Sequence, residues 1–189
     1  MTPRAILAGV AAMMIVAACG RHSDDATPRR YAYPRVETPA ASRMEVSAGG
    51  IRTDVSTSAT VTHPGENWLD AAYPAYGATL HLSAVTLPDS NSLAEALANR
   101  RQRISLNTGG RRTRTDSFTN DAGFRCQMIT ADDGATATPV QFIATDSRHN
   151  LVSGAIVLHG STEPADSIRP VTEILKDEAF RILNSIAPR

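Results

Sequence analysis

The chain has almost no lysine, two cysteines and few aromatic residues, and each shortage removes a class of explanation. Lys176 is its single lysine among 19 basic residues, which are balanced by 19 acidic ones for a formal net charge of zero. Nucleic acid is held by many cations neutralising phosphates, and a neutral chain without a basic stripe does not supply them. No nucleic-acid partner is therefore expected. The densest basic stretch, Arg100, Arg101, Arg103, Arg111, Arg112 and Arg114, reads as the solvated face of a helix and its following turn. Also missing are a His pair at i,i+4, Cys-x-x-Cys, His-Glu-x-x-His, Gly-x-Ser-x-Gly and a phosphate-cradling glycine loop. With no such motif, the expectation is a protein without metal, without cofactor and without enzymatic activity.

What is present begins at the N-terminus. Arg4 precedes an apolar run from Ala5 to Ala18 that stops at Cys19-Gly20, the layout of a secretory signal. The run is shorter than the ~20 apolar residues a membrane-spanning helix needs, so it reads as cleaved. Val16-Ala17-Ala18-Cys19 fits a bacterial lipobox, with cleavage before Cys19, a diacylglycerol on its thiol and an acyl group on the new amine. Several acyl chains, at about 0.8 kcal/mol per buried methylene, tether a chain firmly without spanning the bilayer. Losing Arg4 from the 19 basic residues leaves 18 against 19 acidic ones in the mature chain. With Cys19 lipidated, Cys126 has no intramolecular partner, and its alternating apolar surroundings mark it as a small buried hydrophobe.

The expected organisation is a signal over 1–18, a flexible tether over 19–32 and one globular domain over 33–189. Gly20 to Ala32 is polar, and Tyr31 to Pro39 is an extended, proline-punctuated entry. Ala48 to Thr57 reads as a polar loop. Ser58 to Thr62 reads as a short strand before the His63-Pro64-Gly65-Glu66 turn, and Trp68, the single tryptophan, as a core plug. From Gly77 the residues alternate, with Ala78, Leu80, Leu82 and Ala84 on one side and His81 on the other. Ser92 and Glu95 have capping-box spacing ahead of a helix that runs to about Ser105 and stops at Gly109-Gly110. Four strands follow, over 112–118, 123–130, 138–145 and 151–158, joined by short Asn/Asp/Gly connectors as an antiparallel meander. Val171, Ile174, Leu175, Ala179, Ile182, Leu183 and Ile186 make the apolar face of a last helix over 167–186, with Pro170 in its first turn. The implied fold class is α+β, an antiparallel sheet of about five to seven strands covered by helices.

Three sets of residues have suggestive chemistry. Asp146, Ser147 and His149 carry the letters of a hydrolytic triad, although four successive residues of a hairpin turn rarely bring a carboxylate, hydroxyl and imidazole into line. His63, His81 and His159 would make a metal site only if their strands converge. Tyr73-Pro74-Ala75-Tyr76 places two aromatics at a strand entrance, where they close a core or offer a binding surface.

The run from Trp68 through Tyr73-Pro74-Ala75-Tyr76-Gly77-Ala78-Thr79-Leu80-His81-Leu82-Ser83 resembles the signature of the gliding motility-associated lipoprotein GldD family of Bacteroidetes. Tyr33-Pro34-Arg35-Val36-Glu37-Thr38-Pro39, Pro139 to Ser147 with His149 and Gly154-Ala155, and Asp166 to Val171 resemble further segments of that family in order. The resemblance implies an envelope accessory lipoprotein of the gliding machinery, linked to type IX secretion, and names no reaction. At family level the fold resembles the small PsbP/Mog1-like sandwich. The expected partners are the membrane, through the lipid on Cys19, and proteins of the gliding or secretion apparatus. Tyr33, Trp68, Tyr73, Tyr76 and His81 are the candidate interaction surface or its support. The alternative is a periplasmic ligand-binding or hydrolytic lipoprotein using the Asp146-Ser147-His149 turn. Gly20 stands where an aspartate would retain many lipoproteins in the inner membrane, so the outer membrane is the expected location.

Overall fold

Among the described residues, alternation of apolar and polar side chains lays the chain out as a series of strands interrupted by two helices. In the computed structural model, which describes residues 36–132, 136–160 and 165–189, the order is β1 (Arg43–Ala48), β2 (Ile51–Ser56), β3 (Thr60–Gly65), β4 (Trp68–Tyr73), a 3₁₀ turn (Pro74–Tyr76), β5 (Ala78–Thr86), α1 (Ser90–Asn107), β6 (Thr113–Thr119), β7 (Arg125–Ala131), β8 (Val140–Thr145), β9 (Asn150–Leu158), α2 (Ala165–Ser185) and β10 (Ala187–Pro188). These residues belong to one compact unit, Arg35–Arg189; a second unit, Met1–Pro34, lies outside the described residues. The signal, Cys19, the tether and Tyr33 fall there.

Seven strands form one sheet in the order β3-β4-β5-β9-β8-β7-β6, with antiparallel neighbours throughout. It consists of two meanders joined where β5 pairs with β9, and α1 carries the chain from β5 to the far edge at β6. A second sheet, β1-β2-β10, packs with α2 on the inner face of the first. That interface holds Leu80 and Leu82 of β5, Phe142 of β8, Ile156 of β9, Val55 of β2, and Leu175, Ile182 and Leu183 of α2, all buried. The fold is thus the expected α+β arrangement of antiparallel sheet and helices. α1 lies on the outer face over Val85, Ile143 and Leu151, and of its residues only Leu93 is buried.

Five expectations change, the first being the turn at His63-Pro64-Gly65-Glu66: β3 runs on through Gly65, which pairs with Trp68, so the turn falls at Glu66-Asn67. Ala48 to Thr57 is not a loop but the end of β1 and the whole of β2, joined through Gly49 and Gly50 at φ of +53° and +78°. Two successive positive φ values are what a two-residue hairpin requires, and glycine reaches them without strain. Trp68 is no core plug: it is 51% exposed. The pleat sends Leu69, Ala71 and Tyr73 inward from β4, so Trp68 points to the outer face. Asp89, not Ser92, caps α1, because its extended backbone (φ −153°) lets the carboxylate accept from the amides of Asn91 and Ser92 at 2.8 and 2.9 Å. Pro170 lies in the second turn of α2, which starts at Ala165. The interior face of α2 outweighs the ~3 kcal/mol a helical proline costs.

One polar group sits inside this apolar interface. Glu178 of α2 is 2% exposed, and its Oε1 accepts from the Tyr73 hydroxyl and the Ser56 amide, each at 2.9 Å. Its Oε2 pairs with the guanidinium of Arg43, which also donates to the Asp54 carbonyl at 2.5 Å. One carboxylate therefore ties α2 to β1, β2 and β4. At the C-terminal end of α2, Asn120 Nδ2 donates to the carbonyls of Leu183 and Ile186 at 2.9 and 2.8 Å, while its Oδ1 accepts from the Phe124 amide. Such side-chain donors satisfy the orphan carbonyls of a helix end.

Glu178→Ala leaves Arg43 and Tyr73 without their acceptor, and a loss of about 3 kcal/mol or more is expected in urea unfolding. Tyr73→Phe removes one of several donors and should cost about 1 kcal/mol by the same measurement.

Candidate functional site

The outer face of the large sheet carries side chains the fold does not need for its core. Across the β4–β5 register Asp70 stands opposite His81, and Asp70 Oδ1 lies 2.7 Å from His81 Nδ1. One pair along, Trp68 stands opposite Ser83. The Ser83 hydroxyl accepts from Arg100 Nη2 of α1 at 3.1 Å. Burial, and then the neighbouring charge of Arg103, pull the Arg100 guanidinium below its ordinary pKa. Between these strands and the second half of α1 runs an open groove of about 340 Å³ that includes Trp68, His81, Arg100, Arg103 and Leu106. Leu106 is 71% exposed, so two large apolar side chains stand at this groove together with Arg100 and Arg103.

The other aromatic candidates have structural positions. Tyr73 is buried against Glu178, and burial together with that carboxylate raises its pKa far above the ordinary tyrosine value. Tyr76 is half-buried, and its hydroxyl donates to the Glu37 carbonyl at 2.5 Å. It pins the extended entry segment to the domain. Trp68 and His81 therefore share a surface, Tyr73 and Tyr76 make their hydrogen bonds elsewhere, to Glu178 and to the Glu37 carbonyl, and Tyr33 lies outside the described residues.

The Asp146-Ser147-His149 turn does not assemble a relay. Asp146 Oδ1 accepts from the amides of Arg148, His149 and Asn150, each at 2.9 Å, and Oδ2 accepts from Asn150 Nδ2 at 2.8 Å. Burial alone would raise this carboxyl, but those amide donors together hold it below its usual range. The His149 ring faces the Leu87 carbonyl, with Nδ1 at 3.0 Å, and Ser147 occupies a left-handed conformation at φ +61°. A carboxylate engaged by its own turn orients no imidazole.

The three histidines do not converge. His81 faces Asp70, His159 Nε2 lies 2.8 Å from the Thr79 hydroxyl, and His63 lines a separate cleft beside Gly49 and Glu66. Among the described residues no three His, Cys, Asp or Glu side chains gather to hold a metal. Cys126 is buried and free, and burial pushes its thiol up to about 11.

Sequence reasoning missed Glu178, although a lone acid stood on the apolar face of α2, three residues after Leu175 and four before Ile182. It also missed Asn120, whose role depends on where α2 ends. The 2% exposed Gln141 accepts from Asn107 Nδ2 at 2.9 Å, locking the end of α1 to β8. Next to it, Phe142 packs against Gly154, where a Cβ would come within 2.2 Å of the ring.

A family model described as gliding motility lipoprotein GldD matches residues 23–187. No curated protein matches the chain significantly.

The Asp146 carboxyl has a folded pKa below its unfolded value of 3.8. Its contribution to stability is therefore complete above that value and lost as pH falls through the depressed one. Asp146→Ala should cost about 1 kcal/mol in chemical denaturation at pH 7, with the difference from the wild type shrinking on acidification below 3.8. Gly154→Ala, which forces a methyl onto the buried Phe142 ring, should cost about 1–3 kcal/mol without changing the oxidation or exposure of Cys126.

Proposed function

The chain belongs to the GldD family of gliding motility lipoproteins, and from that premise we propose that it is a lipid-anchored accessory protein of the gliding and type IX secretion machinery, acting by binding other envelope proteins. The anchor in this reading is the acylated Cys19 of the lipobox, and the membrane is the outer one, in keeping with Gly20 after the cysteine. The observation that carries the binding role is the half-exposed Trp68 beside the Asp70–His81 pair and the exposed Leu106.

Burying a tryptophan side chain is worth several hydrophobic contacts, and an indole can still donate a hydrogen bond from its edge. Such residues, ringed by arginine and other polar groups, are where binding energy concentrates in protein interfaces. Here Arg100 and Arg103 provide that rim, and the β4–β5 pairing fixes the backbone position of Trp68 on the outer face. Tyr73 and Tyr76 fix β4 and the entry segment. The hydrolytic alternative at the Asp146 turn has less support, because Asp146 is engaged by its own turn and His149 by a backbone carbonyl.

In-cell crosslinking of the lipidated protein, followed by mass spectrometry, tests this. Gliding or type IX secretion components are expected with the wild type, depleted several-fold with Trp68→Ala at unchanged circular dichroism, and lost with Cys19→Ala. Equal recovery with Trp68→Ala would remove this face from the role, and recovery of abundant envelope proteins alone would remove the role itself.

A further inference from the structure

The two edges of the large sheet are built differently. β3, at one edge, contains Pro64 and Gly65, and its register with β4 breaks between Thr62 and Gly65. A proline and an irregularity are the usual means by which an edge strand is closed to further pairing. β6, at the other edge, pairs with β7 through seven successive residues, Thr113 to Thr119, with no break, no proline and no glycine. No backbone hydrogen bond from outside the sheet reaches the β6 segment Thr113–Thr119 among the described residues. A long regular edge left open is a template for another strand.

The two faces beside that edge are also distinct. On the inner side Phe118 of β6 meets Phe180 of α2, with ring centroids 5.0 Å apart, and Phe180 is 46% exposed. On the outer side a groove of about 530 Å³ runs between α1 and β6–β7, with Leu97, Ile143, Ser117, Thr119, Arg101 and Arg125 among its walls. No acidic residue lines it. Arg101 and Arg125 are exposed and have no ion-pair partner among the described residues, whereas Arg114, on β6 itself, is paired with Asp116 at 3.0 Å.

We propose that β6 is a docking edge that accepts an extended segment of a partner protein as an eighth strand, with acidic side chains of that segment facing Arg101 and Arg125 and apolar ones facing Phe118 and Phe180. A strand added about 4.8 Å from β6 alternates its side chains between the two faces, and main-chain hydrogen bonds supply affinity while the faces supply selection. Charge decides the occupant. A second copy would bring Arg112 and Arg114 to an edge already basic and, paired about its centre, would set Asp116 against Asp116. An acidic, alternating segment has no such conflict. The inference rests on the reading that this protein acts by binding protein, but it uses a different surface from Trp68.

The test uses full-length protein in detergent micelles and two capped nonapeptides, one alternating aspartate with valine and the other arginine with valine. Fluorescence anisotropy should show binding of the aspartate peptide only, weakened about tenfold in an Arg101→Ser, Arg125→Ser double variant. Hydrogen exchange should slow about tenfold or more at β6 and not at β3. Equal binding of both peptides, binding of neither, or protection around Trp68 in place of β6 would overturn the proposal. So would concentration-dependent protection of β6 without peptide, which would identify a second copy as the occupant. The Trp68→Ala crosslinking result leaves this measurement unaffected, so the two surfaces fail or stand separately.

Discussion

The carboxylate of Glu178 is the contact on which the assembly of layers turns. An isolated buried charge would cost several kcal/mol, so it persists only because Arg43, Tyr73 and the Ser56 amide all converge on it. Each of those partners comes from a different strand. The ion pair therefore acts less as glue than as a register pin: a one-residue slip in β1 or β4 would turn the Arg43 or Tyr73 side chain to the opposite face, and one in β2 would move the Ser56 amide away from the carboxylate. Two sheets that share only apolar residues could slide; two sheets that share this carboxylate cannot.

With the inner face so fixed, the outer face is released from structural duty. α1 covers the middle of the sheet through Leu93 and a few half-buried neighbours, and its end is held by Asn107 on Gln141. To one side of it lie Trp68, His81 and Leu106; to the other, Arg101, Arg125 and the open β6 edge. The rigid inner core thus supports an outer face with two unlike surfaces, which suits the binding role proposed above. Binding then requires little reordering.

The segments that resemble the GldD signature also acquire physical meaning. Tyr73 serves Glu178, and Tyr76 holds the entry segment through the Glu37 carbonyl. Gly77 takes the left-handed conformation (φ +56°) that ends the 3₁₀ turn and starts β5. Gly154 leaves room for Phe142, and Asp146 closes its own turn with three amides. Most of that signature is architecture. Within it, Trp68 and His81 lie on the outer face of the sheet, His81 paired with Asp70.

Much of this was legible in the residue order. The period of two along Ala78 to Ala84 and the period of three to four along Val171 to Ile186 report burial directly, because an apolar side chain has one favourable side. The four-strand meander followed from short Asn, Asp and Gly connectors. Hidden were the β1–β2 hairpin, whose polar residues mask its alternation, and the exposure of Trp68, which depends on the phase of β4 rather than on the residue type. The letters Asp146, Ser147 and His149 suggested a relay that backbone geometry does not make. The amino-acid sequence by itself determined the strands and helices, the isolation of Cys126 and the resemblance to one family, since these depend on local pattern. Only tertiary structure decided that Glu178 is buried with three donors, that Trp68 looks outward and that β6 is an unblocked edge, because each depends on which distant segment arrives beside it.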